Sequence, residues 1–323
     1  METTEIPSTD ENGGNRTCAN ALVILGFSYY CGYKLIFITL FSVAYLQIIM
    51  ANMLIISLGC SCRHLRKPMF FFLMNMSAAD ICFISVTMPW IIISILLNIR
   101  AVTLTVCAIQ MYCFLAFTSS EFLLLSAMAY DRYVAICDPL HYNLIMNKRF
   151  CAVFAAGCWL LGFMDTFPHA WFILRACYCK SKRLNHFFCD LTALLKMSCS
   201  ETQSIERITY VEGAFLGFGP FLLTLTSYVF IINSILKIQS TEGRSKALST
   251  CSSHLIIVVI FYGTTLSMYM RPTSTFSLEI NKIITLIYVI IIPLLNPIIY
   301  SLRNRELRQA FKMVFHVDIF LKK

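Results

Sequence analysis

Apolar residues run along this chain in blocks of membrane-crossing length, separated by short polar segments. A membrane helix needs about 20 predominantly apolar residues. Seven blocks qualify, over 33–58, 70–97, 104–130, 150–173, 206–236, 247–270 and 281–302, the clearest stretches being Leu35–Leu58, Ile256–Met270 and Ile283–Ile299. Polar or helix-bending residues interrupt several of them: Asp80 and Pro89 the second, Glu121 the third, Asp165 the far end of the fourth, Glu212 and Pro220 the fifth. The connections are short except for 174–205. After the last block, Leu307, Phe311, Val314 and Phe315 fall at helical spacing against Arg305, Arg308 and Lys312, the pattern of an amphipathic helix lying on a membrane surface. The expected fold is an all-α membrane protein, a seven-transmembrane helix bundle with a short amphipathic C-terminal helix. Its expected parts are an extracellular N-terminal tail at 1–32, the membrane domain at 33–302 and a cytoplasmic helix or tail at 303–323.

Composition agrees with lipid as the main solvent. The 323 residues are 58% hydrophobic and 13% charged, about half the charged share of an average soluble domain. The net charge of +9 matters through its distribution, because loops rich in Lys and Arg stay on the cytoplasmic side. If the N-terminus is outside, the inner segments hold 15 of the 26 basic residues and the outer side 11; the three inner loops hold nine and the two short outer loops three. The first 32 residues are acidic and show no basic region before a short apolar core. No cleaved signal peptide is therefore expected, and the first helix acts as its own insertion signal. Asn15-Arg16-Thr17 is a glycosylation acceptor in the expected outer tail, whereas Asn75-Met76-Ser77 falls inside the second block, out of reach of a lumenal transferase.

Of 15 cysteines, eleven read as small apolar residues at positions 18, 31, 60, 62, 82, 113, 137, 151, 158, 177 and 251. Cys107, Cys179, Cys189 and Cys199 sit where the outer face is oxidising. Four cysteines allow three pairings, and Cys177 is a fifth thiol beside them. Cys60 and Cys62 are juxtamembrane and open to acylation.

Ionisable and amide side chains inside spans are costly and mark function or interhelical hydrogen bonding. Asn52, Asp80, Glu121 and Asn296 fall near the middle of the first, second, third and seventh spans. Together they could form a hydrated cluster holding water or a cation, or only a packing network. His254 reads as a packing histidine, since no second His or Cys pattern supports zinc. No His-Glu-x-x-His, Gly-x-Ser-x-Gly or Gly-x-x-x-x-Gly-Lys-Ser/Thr occurs. Neither an enzyme, a metal site, a cofactor nor nucleic-acid binding is expected.

Several segments, in order and on the right spans, resemble one family. Met128-Ala129-Tyr130-Asp131-Arg132-Tyr133-Val134-Ala135-Ile136-Cys137 resembles the inner end of the third helix in vertebrate odorant receptors, a branch of the rhodopsin-like G-protein-coupled receptors. Residues 246–255, Lys-Ala-Leu-Ser-Thr-Cys-Ser-Ser-His-Leu, resemble their sixth-helix signature, and 293–304, from Pro293 through Asn296, Pro297 and Tyr300 to Asn304, their seventh. Pro68-Met69-Phe70-Phe71-Phe72-Leu73 and Ser227-Tyr228 add to the match. The resemblance implies disulfides Cys107–Cys189 and Cys179–Cys199. It implies that Arg132, flanked by Asp131 and Tyr133 and held by Asp131 at rest, admits the C-terminal helix of a G protein when the sixth span moves outward. Tyr228 and Tyr300 would stabilise that open state, with Asp80, Glu121 and Asn296 in the polar core that couples pocket to inner face. The implied partners are a small volatile odorant, a stimulatory olfactory-type G protein that raises cyclic AMP, and membrane lipid. The chain departs from the pattern at Ala51, Arg66 and Phe70, and at Ala176-Cys177-Tyr178 before Cys179, so the long loop is expected to have its own shape.

Within that frame, helical spacing gives a pocket. Phe114, Leu115, Thr118 and Ser119 lie one to two turns outward from Glu121; Tyr262, Thr265, Leu266 and Tyr269 continue a face on the sixth span; Glu212 and Leu216 do so on the fifth. The lining is apolar with a few hydroxyls, suited to a small volatile ligand. Glu212 favours a hydrogen-bond donor or an amine if it faces inward. A transporter or channel is the alternative raised by Asp80 and Glu121, against which stands the absence of inverted repeats. A family member without signalling is a third.

Overall fold

The computed structural model describes residues 20–26, 31–179, 183–237, 239–269, 278–303 and 305–315. The seven spans form as helices: α1 (Lys34–Ser61), α2 (Pro68–Leu97), α3 (Leu104–Cys137), then, after the short α4 (Tyr142–Ile145), the fourth span as α5 (Lys148–Asp165) and α6 (Phe167–Arg175). After β3 and α7, described below, the fifth span is α8 (Gln203–Glu212), a π-helical stretch at Gly213–Phe218 and α9 (Gly219–Leu236). The sixth and seventh are α10 (Thr241–Tyr269) and α11 (Leu278–Arg303), followed by α12 (Arg305–Phe315). The protein is a seven-helix membrane bundle.

Each helix sorts its residues by face. On α1 the buried positions Phe41, Ala44, Ile48, Asn52 and Ile55 recur every three or four residues, while Ile36, Leu40, Leu46 and Met53, between or beside them, are exposed. An apolar side chain facing outward is at home in lipid, so packing and interhelical hydrogen bonds, not burial from water, hold such helices together. A close approach joins α3 and α5. At Gly162 any Cβ would run into Ser120 and the Ala116 carbonyl. Nearby, Trp159 Nε1 donates to Asn75 Oδ1 at 3.0 Å and joins α5 to α2.

Two spans are broken by proline. Pro168 stands at the start of α6 and has no N–H to continue the ladder, so the helix divides at Thr166. In the fifth span the π-helical stretch precedes Pro220, at the start of α9; widening the turn absorbs the missing bond. The third helix runs on to Cys137, seven residues past the expected end, because Asp131 and Arg132 continue it into the interface.

The disulfide-bearing end carries structure that hydropathy does not announce. Strand β1 (Ala21–Ile24), within the expected tail, pairs antiparallel with β2 (Ala101–Thr103) and parallel with β3 (Arg183–Leu184). The long loop also forms α7 (Leu191–Met197), capped by the Asp190 carboxylate, which accepts from the Ala193 amide at 3.2 Å. Cys107 is bonded to Cys189 and Cys179 to Cys199. Cys177, read above as a small apolar residue or spare thiol, is disulfide-bonded as well. Tyr178, Leu184, Leu191 and Leu194 bury themselves against Cys107, Met111 and Ile173, giving this end a small core of its own.

Candidate functional site

The residues singled out in the sequence fall into three groups in the structure. The first is the polar core. Asn296 Nδ2 donates to both Asp80 carboxylate oxygens, at 3.2 and 3.1 Å, joining α11 to α2. Glu121 of α3 lies beside Asp80, and both are fully enclosed, at 1% and 0% exposure. Asn52 Nδ2 donates to the Ile48 carbonyl at 3.1 Å and to the Pro293 carbonyl at 3.4 Å. Proline at 297 leaves the Pro293 carbonyl without its helical donor, which makes it available to Asn52. Four helices therefore converge on these four residues.

The second group lies at the opposite end of α3 from the disulfide. Asp131 is buried and accepts from the Tyr142 hydroxyl at 2.8 Å, with Arg132 in electrostatic reach. The hydrogen bond on Asp131 thus comes from α4, a partner the dipeptide alone does not suggest. Burial, with the Asp131 carboxylate beside it, pushes the Tyr142 phenol up, so it stays a donor. Tyr133 packs edge-on against Phe230 of α9. Tyr228 donates to the Cys251 carbonyl at 3.3 Å and meets His254 Nδ1 at 2.7 Å, with the two rings stacked. Together they join α9 to α10 beside Arg132. The side chain of Tyr300 lies outside the described residues, as does Asn15.

The third group lines a cavity of about 100 Å³. Leu115, Thr118 and Ser119 of α3, Glu212 and Leu216 of the fifth span and Thr265 of α10 all face it. Phe114 and Tyr262, expected there, lie elsewhere. Phe114 is packed against Phe83, Phe188 and Tyr288, with ring centroids 4.9, 5.0 and 6.3 Å apart. Tyr262 lies against Phe122 and donates to the Phe122 carbonyl at 3.1 Å, which ties α10 to α3. The side chains of Leu266 and Tyr269 lie outside the described residues.

The cavity also has a wall that helical spacing on the third, fifth and sixth spans does not reveal. Asp165, Thr166 and His169 come from the fourth span, Thr209 from α8, and Leu191 from the long loop. Ser119 Oγ donates to Asp165 Oδ2 at 3.1 Å. His169 Nε2 stands 2.9 Å from Thr209 Oγ1 and 3.3 Å from Glu212 Oε2. Thr166 keeps helical backbone angles across the break, so Asp165 and His169, four residues apart, share one face as they would in a continuous helix. Behind Thr118, the buried Tyr288 of α11 donates to its hydroxyl at 3.4 Å. Thr118 is one turn from Glu121, so this contact links cavity and polar core.

A seven-helix membrane bundle with a ligand-sized cavity toward one end and an Asp-Arg-Tyr turn on α3 toward the other has the layout of a G-protein-coupled receptor. The olfactory receptor family model matches residues 41–318. The chain is 41% identical to olfactory receptor 1E1 of Pan troglodytes, over 94% of this chain and 97% of that one. It is 42% identical to olfactory receptor 1500 of Rattus norvegicus, over 92% and 96%, and 40% identical to olfactory receptor 2A12 of Homo sapiens, over 93% and 97%. The chain belongs to the olfactory receptor family. It is an odorant receptor and a multi-pass protein of the plasma membrane, in a family of receptors and not of enzymes.

Proposed function

We propose that a small odorant in the cavity activates a stimulatory olfactory-type heterotrimeric G protein and so raises cyclic AMP. The N-terminal tail is extracellular, and α12 and the residues after it are cytoplasmic. The observation that carries this reading is the arrangement around Arg132. Cys251 and His254 of α10 are held on Tyr228 of α9, within electrostatic reach of Arg132. This arrangement is the closed one: α10 covers the end of α3. Outward movement of α10 uncovers Arg132 and Tyr133 for the C-terminal helix of the G protein, with Tyr228 and Tyr300 holding the opened state. Coupling is then a population shift, in which the odorant binds the open state better than the closed one. Asp80, Glu121, Asn296 and Asn52 carry the change inward, Thr118 and Tyr288 being their link to the cavity.

The test is a cyclic-AMP assay in cells expressing the receptor with the olfactory stimulatory α subunit, run across a broad odorant panel. Arg132→Ala that reaches the cell surface is expected to lose the response. Normal signalling by that variant would overturn the role of Arg132, and an odorant-evoked current without G protein would favour a channel.

A further inference from the structure

The wall formed by the fourth and fifth spans has a charge that limits what the cavity accepts. Two carboxylates face it, Asp165 and Glu212, within electrostatic reach of one another. Among the described residues that line it there is no Lys or Arg, and the rest of the wall is hydroxyls and apolar side chains. Among the described residues, His169 is the one basic group on the wall. It is 3% exposed, its Nε2 is already engaged with Thr209 and Glu212, and its Nδ1 has no hydrogen-bond partner among the described residues. A proton on His169 would answer Glu212 but leave Asp165 without a counter-charge.

We propose that the cavity is a site for a compact amine whose ammonium group sits between Asp165 and Glu212, with its carbon skeleton against Leu115, Phe122 and Leu216. This rests on the odorant-receptor reading and narrows it to a ligand class. An ammonium carries three N–H donors and no acceptor. The two carboxylates and the Ser119 or Thr209 hydroxyl supply three acceptors on one wall. An anionic ligand meets like charge. A neutral alcohol gives one donor and no charge, so it meets at most one acceptor of the wall and forms none of the stronger, charge-assisted hydrogen bonds that an ammonium makes to a carboxylate. A bare metal ion needs several ligands converging on a point, and no group of three His, Cys, Asp or Glu among the described residues is so placed. Volume limits the size: a cavity of about 150 Å³ holds benzene, so one of about 100 Å³ takes nothing larger and is restricted to small amines.

The experiment compares n-butylamine, isobutylamine and cyclopentylamine with n-butanol, isobutanol and cyclopentanol on the full-length receptor. Binding is read as the rise in melting temperature of detergent-purified protein, and signalling separately as cyclic AMP in cells. Each amine is expected to act at a concentration about tenfold or more below that of its alcohol. Glu212→Gln and Asp165→Asn are each expected to weaken the amines about thirtyfold or more while the alcohols are unweakened. Alcohols equal to or better than amines, or amine potency unchanged in both variants, overturns the amine site and leaves the receptor reading standing. Amine stabilisation that is lost in Glu212→Gln but never yields cyclic AMP supports the site and overturns the coupling. If a variant fails to fold, the amine–alcohol comparison on the unsubstituted receptor decides.

Discussion

Gly162 sets how closely α3 and α5 can approach. A Cβ there would come within 2.8 Å of the Ser120 amide nitrogen and 2.9 Å of the Ala116 carbonyl oxygen, besides overlapping the Ser120 hydroxyl. Backbone atoms cannot turn aside as a side-chain tip can, so relief requires the helices to move apart. Gly162→Val is expected to destabilise the receptor by about 1–3 kcal/mol, the usual cost of overpacking. The measurement is the melting temperature of the purified protein. A melting temperature equal to that of the unsubstituted receptor would show that α5 shifts without penalty. The position also bears on the cavity wall, because Asp165 and His169 follow within two turns of the same span.

At the scale of elements, the long loop is held by several independent ties. The bridges Cys107–Cys189 and Cys179–Cys199, the disulfide of Cys177, the pairing of β3 with β1 and the Asp190 cap of α7 each fix a different part of it. Between them His186 is fully buried, edge-on to Phe188 at 4.9 Å. Burial holds its pKa below the ordinary histidine value and Lys282 acts in the same direction, while Asp190 and the Phe188 backbone oppose them. The unfolded chain takes up a proton near pH 6.5, whereas folded His186 resists it. Its contribution to stability is whole above that pH and is lost as the pH falls from there through the lower, folded-state pKa. Melting temperature is therefore expected to drop between pH 7.5 and pH 5, and to drop less in His186→Phe. An identical drop in both would assign the pH dependence to other groups.

The same loop shows why some elements were legible in the sequence and others were not. All seven spans begin and end within about six or seven residues of the apolar blocks, because the bilayer imposes a length that composition must meet. Strands of four, three and two residues leave no comparable pattern, and β1 depends on partners about 80 and 160 positions away. The cavity was half legible for the same reason. Thr118, Ser119, Glu212, Leu216 and Thr265 follow from spacing along single helices. Asp165 and His169 share a helical face, but nothing in the spacing says that the fourth span turns that face to the cavity, and Leu191 reaches it only because the loop folds back. Phe114 has the right spacing but fills an aromatic cluster with Phe83 and Phe188.

For the whole molecule, the weak seam is the one around α10. That helix packs chiefly along α11 and touches α3 and α9 at fewer points. Two of those points are hydrogen bonds from tyrosines: Tyr262 to the Phe122 carbonyl, and Tyr228 to the Cys251 carbonyl. A helix tied firmly on one side and at a few places on the other can swing as a body, and the Tyr262 tie to α3 adds an increment to the closed state. Removing the Tyr262 hydroxyl in Tyr262→Phe keeps the ring against Phe122 and deletes about 1 kcal/mol of closure. On the reading that this arrangement is closed, the open fraction rises about fivefold, since RT is about 0.6 kcal/mol and the odorant-free receptor is mostly closed. The expected result is about fivefold higher basal cyclic AMP per receptor at the cell surface, with a smaller fold-response to odorant because part of the shift has already occurred. Basal signalling that is unchanged or lower at equal surface density would mean that the Tyr262 bond does not distinguish the closed state from the open one.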